Sequence, residues 1–154
     1  MIAKPSTPQL LQTMKTELAE KISPALTDPT HVVAIQMMTA ILDALSVRVE
    51  NELGWMKEEC TAIESAAAYY LSNHADAAAL AAALAAYRAT TTSSLKLSEV
   101  SADYDRAGEV LSCLVDASFA GGTPAEVRAA EQLIEQRLAT ELAILGTFVA
   151  AGRE

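Results

Sequence analysis

The feature that most limits how this chain can fold is a run of apolar residues that never changes phase. From Ile35 the series Met38, Leu42, Leu45, Val49, Leu53, Met56, Cys60, Ile63, Ala67 and Tyr70 advances by three or four residues at every step. At about 100° per residue these side chains stay within a single arc of roughly 100° on a helix. The arc passes Gly54 without a break, although glycine just after a helix is a common stop signal. Two helices joined by a turn would have no reason to share a phase. The spacing therefore predicts one helix from Pro29 to about Leu71, roughly 65 Å long at about 1.5 Å per residue. A compact monomer of this size has a radius of gyration of only about 15 Å, so the stripe on such a helix needs a second surface. A homodimer is the simplest source of one.

The remaining punctuation is helical too. Thr7-Pro8 and Asp28-Pro29 each place a capping side chain before a proline at the first helical position, where the missing N–H costs nothing. Thr123-Pro124-Ala125-Glu126 adds a capping-box glutamate directly after Gly121-Gly122. The first helix is expected from Thr7 to about Ile22 and the last from Pro124 to about Ala150. "SNHAD" at 72–76 and "TTTSS" at 90–94 interrupt the pattern, leaving an alanine-rich helix near 76–89 and another from about Ser98 to Phe119. Leu80 and Leu84 keep a helical spacing within the alanines, which marks a thin packing helix rather than a tether. The expected fold is all-α: an antiparallel bundle of about five helices built around the long one, dimeric, with 1–154 as a single domain.

Twenty acidic residues against eleven basic ones give a net charge of −9. Such a surface repels phosphates and argues against nucleic acid or an anionic membrane as partner. The first residues show no apolar leader with a cleavage site, and Cys60 and Cys113 are too few for a disulfide framework or a metal-ligand pair. A cytoplasmic protein with two reduced thiols and no cofactor is the expectation.

On the long helix, Arg48, Glu52, Trp55 and Glu59 fall on one strip beside the apolar arc, and Met37 and Ile41 extend it toward the N-terminus. Arg48 and Glu52 have the spacing of a helical ion pair. The strip reads either as a polar site flanked by an indole or as the salt-bridged margin of a helix interface with Trp55 as anchor. Met37 and Met38 are adaptable apolar contacts beside it. Gly54 either admits a second backbone or simply weakens the helix.

On the last helix, Val127, Ala130, Ile134, Leu138, Leu142, Leu145 and Val149 form the apolar arc, with Glu131 and Glu141 inside it as buried-carboxylate candidates. Arg137 lies four residues before Glu141 and is the expected partner of that acid. There is no Glu-x-x-His motif, and the two histidines lie near opposite ends of the long helix, so no metal site is assigned. His31 falls on the apolar arc and is expected to pack. His74 is expected to be solvated. Without a nucleophile elbow or a phosphate-binding glycine loop, no catalytic residue is assigned.

"KPSTPQLLQTMKTELAEKISPAL" and "ALSVRVENELGWMKEE" together resemble a family of small helical bacterial proteins of unknown function. The resemblance rests on Pro5, Leu10, Leu11, Leu18, the Pro24-Ala25-Leu26 ending and the Arg48, Glu50, Glu52 spacing. It covers roughly the first 65 residues closely and the remainder of the chain loosely. That family's genes tend to lie beside acyl-CoA dehydrogenases and kinases resembling aminoglycoside phosphotransferases. The resemblance implies an accessory role in acyl-CoA or related catabolism and carries over no catalytic residue.

The leading expectation is a non-enzymatic protein that self-associates and binds a partner protein, such as an acyl-CoA-metabolising enzyme or a kinase-like protein. A bundle whose methionines and alanines leave room for an acyl chain or other hydrophobic ligand is the alternative. An enzyme using its glutamates as acid and base, with Glu141 poised by burial, stands behind both.

Overall fold

A computed structural model of the chain describes residues 4–145. Those residues form five α-helices and no strand: α1 (Thr7–Glu17), α2 (Pro29–Asn73), α3 (Ala78–Thr90), α4 (Leu97–Gly121) and α5 (Pro124–Leu145). The expected continuation of the last helix to Ala150 lies outside the described residues. Caps explain the starts of α1, α2 and α5. Asp28 accepts the Thr30 N–H at 2.8 Å, and Thr123 and Glu126 exchange hydrogen bonds across the first turn of α5. At α1 the cap is Ser6, one residue before the expected Thr7, because Gln9 reaches back to the Ser6 N–H at 2.8 Å. The helical path does reach Ile22, but it widens into a π turn over Leu18–Ile22 and tightens into a 3₁₀ turn over Ser23–Ala25. Pro24 has no N–H to continue the α ladder, so the backbone changes pitch there.

Helix α2 runs through Gly54 without interruption. A Cβ built on Gly54 meets nothing within 4 Å, so no other segment among the described residues packs against the glycine.

The described residues divide into two compact units, and the division falls inside α2: 53–140 form one, and 4–52 with 141–145 belong to the other. The 53–140 unit carries the main core. Cys60, Ile63, Ala67 and Tyr70 of α2 pack with Leu80, Leu84 and Tyr87 of α3 and with Ala107, Val110, Leu111 and Leu114 of α4. The alanine-rich α3 thus packs through the leucines that its spacing marked. Tyr70 keeps its hydroxyl paired by donating to the Ala117 carbonyl at 2.8 Å. Between α3 and α4 the loop is fastened by buried Asp103. Its carboxylate accepts the Thr92 N–H at 3.1 Å, the Thr91 hydroxyl at 3.2 Å and the Arg106 guanidinium at 2.5 Å.

The other unit holds α1, its π and 3₁₀ turns and the first half of α2. Lys15 bridges α1 to α2 by pairing with Asp43 at 2.5 Å. Across 32–49 Leu42 is the only buried residue.

Since nothing crowds Gly54, the Gly54→Ala variant should gain helix propensity without a clash. We expect it to be stabilised by about 1 kcal/mol in urea unfolding followed by circular dichroism. A loss of stability would show that the backbone at 54 is not simple helix.

Candidate functional site

In the 1–52 unit the notable surface is apolar. Leu10, Met14 and Ile22 before α2, and Val33, Met37, Met38, Ile41, Leu45, Val47 and Val49 on it, are each between 38% and 54% exposed. On α2 these positions spread over roughly 200° of the helix surface at about 100° per residue. Beside them runs a groove of about 470 Å³ lined by Thr13, Met14, Glu17, Leu18, Ile22, Met38, Ile41 and Leu42. Helix α2 is long and apolar enough to cross a membrane, judged by length and composition alone. Its apolar stretch nevertheless carries Asp43, held by Lys15, and Arg48.

The proposed strip of Arg48, Glu52, Trp55 and Glu59 separates into different environments. Arg48 pairs with Glu52, its Nε donating at 3.1 Å, on a partly exposed face. Trp55 is half-buried. Glu59 is buried, only 4% exposed, and so is not available for contact with a partner. Tyr104 donates its hydroxyl to Glu59 Oε2 at 3.1 Å, and Arg137 Nε lies 3.6 Å from Oε1. The Arg137 guanidinium sits 4.7 Å from the centre of the Tyr104 ring, a cation–π contact. Gly108 makes room for it, since a Cβ there would stand 3.3 Å from Arg137 Nη1.

Those pairings set the rotation of α5. Its inward positions are Glu126, Ala130, Leu133 and Arg137, whereas Ile134, Leu138 and Leu142 are 44%, 54% and 59% exposed. Relative to the expected apolar arc the helix is turned by roughly 95°, on about 100° per residue. This corrects the two carboxylate candidates. Glu131 is half-exposed and 3.4 Å from Arg128, and Glu141 is exposed.

Two histidines are also corrected. His31 does not pack; it is exposed and 3.9 Å from Asp28. His74 is not simply solvated. Its Nε2 lies 3.0 Å and 3.1 Å from the two oxygens of Glu126, and its ring stacks on Tyr70 with centroids 4.3 Å apart. Glu126 Oε2 also accepts the Thr123 N–H at 2.8 Å and the Thr123 hydroxyl at 2.9 Å. The Thr123 amide holds the Glu126 carboxyl below its ordinary value; burial opposes this, and the His74 and Thr123 side chains add to it. The capping box at 123–126 was the legible part of this cluster, and its reach to His74 was not. Beside it opens a cleft of about 560 Å³, walled by Tyr69, Tyr70 and His74 and floored by Ala66, Leu114, Ala129 and Ala130.

Asp103 behaves similarly. Burial pushes its carboxyl up, but the Thr92 amide, Arg106 and the Thr91 hydroxyl outweigh that and hold it below the ordinary value. Burial pushes the Cys60 thiol up, which makes it a poor nucleophile. Among the described residues no cluster of His, Cys, Asp and Glu could hold a metal ion. No protein family, curated protein or solved structure matches the chain.

Glu59 and Glu52 should respond differently to the same change. Glu59→Gln removes the charge facing Arg137 inside the core and should cost about 1–3 kcal/mol in urea unfolding. Glu52→Gln, at a partly exposed pair, should cost less than about 1 kcal/mol. Equal effects would contradict the placement of Glu59.

The two depressed carboxylates fix a sign for acid unfolding. A carboxylate with a lowered folded pKa stabilises above its unfolded pKa, and that stability is lost as pH falls through the folded value. We expect the urea midpoint to drop as pH is lowered below about 5, and to drop less in Asp103→Asn/Glu126→Gln than in the parent chain. An equally steep fall in the double variant would contradict these assignments.

Proposed function

We propose that this chain is a non-enzymatic helical protein that self-associates through the apolar face of α1 and α2 and acts by binding a partner protein. The observation that carries the reading is the face itself: ten large apolar side chains lie open in one unit. Fully burying one such side chain yields about 1.5–3 kcal/mol at roughly 25 cal/mol per Å², so half of each amounts to on the order of 50 Å². Ten of them leave about 500 Å², toward the upper end of the roughly 300–600 Å² of a typical monomer's largest apolar patch, which is often functional.

A second copy is the occupant that the charge pattern favours. Asp43 and Arg48 are the only charged residues in 32–49 and cancel, so the whole net charge of −9 lies elsewhere. The neutral stretch is where two acidic chains approach with the least repulsion. A bilayer is the poorer occupant, because a charged residue at the centre of a spanning helix costs about 3 kcal/mol. The cytoplasmic setting belongs to this reading, as does the partner class implied by the family resemblance: an acyl-CoA-metabolising enzyme or a kinase-like protein.

Sedimentation velocity over a hundredfold range of concentration tests it. We expect a dimer for the parent chain and a monomer of unchanged helicity for Ile41→Glu, which alters an exposed position. A parent chain that stays monomeric, a variant that still dimerises, or a parent chain that floats with neutral phosphatidylcholine vesicles would overturn the proposal.

A further inference from the structure

The cleft between the end of α2 and the start of α5 is not used by the reading above. Its volume of about 560 Å³ falls within the ~300–1,000 Å³ of small-molecule sites. Alanines make it: Ala66, Ala129 and Ala130 leave the space that larger side chains would fill. Its polar end is chemically defined. Glu126 is anchored by Thr123 and can only accept, so the Nε2 of His74 must be the donor between them. In the neutral ring that assignment leaves Nδ1 as an acceptor, and Nδ1 has no hydrogen-bond partner among the described residues. Tyr70 fixes the plane of the imidazole by stacking at an interplanar angle of 21°. With His74 neutral, a ligand for this site offers one hydrogen-bond donor to Nδ1 and a flat apolar body to the alanines and rings. It is not an anion, since Glu126 is itself a carboxylate within a chain of net charge −9.

We propose that this cleft is a binding site for uncharged, planar aromatic molecules that bear a hydroxyl group, with His74 Nδ1 accepting the hydroxyl proton in a hydrogen bond. The site is independent of self-association, because every residue that lines it belongs to the 53–140 unit. Titration of the full chain with 2-naphthol, followed by the ¹³C–¹H signals of the His74 and Tyr70 rings, tests the proposal, with 2-methoxynaphthalene as a probe of the same shape and no donor. We expect saturable shifts at both rings with 2-naphthol and at least tenfold weaker binding of the methoxy compound. His74→Phe keeps a ring on Tyr70 and removes the acceptor, so it should bring both probes to the same weak binding. Ala129→Leu leaves the capping box intact and fills the cleft, so it should weaken 2-naphthol at least tenfold even if His74→Phe fails to fold. Absence of saturable shifts, equal binding of the two probes by the parent chain, or undiminished binding by Ala129→Leu would overturn the proposal.

Discussion

Along α2 a single apolar phase continues from Ile35 to Tyr70, but the cover packed against it does not. From Cys60 onward the phase is buried: Ile63, Ala67 and Tyr70 meet α3 and α4 in a well-filled core. Before Gly54 the same spacing presents Met38, Leu45 and Val49 half-exposed, and Leu42, which lines the groove beside α1, is buried. Helix formation is cooperative, so the well-packed half can hold the backbone of the open half in register. Apolar surface kept open in this way remains available for association. The proposed self-association would in that sense follow from helix continuity as well as from surface composition.

Polar pairings decide what hydrophobicity leaves undetermined. Burying Glu59 requires partners, and it finds them in the Tyr104 hydroxyl and Arg137. Drawing Arg137 inward, together with Glu126 toward His74, turns α5 so that Ile134 and Leu138 face outward. Two polar anchors on one face of a helix thus outrank a regular apolar stripe on another. The same anchors leave the alanines of α5 beside the cleft at the end of α2, where bulkier residues would have closed it.

Features confined to one helix were legible in the sequence. The continuity of α2, the five-helix all-α architecture, the capping box at 123–126 and the packing role of Leu80 and Leu84 follow from spacing and cap chemistry within single segments. Features that join distant segments were not. Nothing near His74 in the chain announces Glu126, 52 residues on, and nothing near Glu59 announces Arg137. The burial of Glu131 and Glu141 was inferred from an apolar arc that those long-range pairings override. His31 shows the complementary limit: it lies on the arc, but that part of the arc has no cover among the described residues.

Hydrogen–deuterium exchange along α2, measured at several protein concentrations, tests the central claim most directly. If one helix carries a buried half and a half covered by a second copy, exchange within 60–72 should be slow and independent of concentration. Exchange within 32–49 should slow progressively as concentration rises, with no fast-exchanging break at 52–56. Exchange within 32–49 that ignores concentration, or rapid exchange centred on Gly54, would contradict the account.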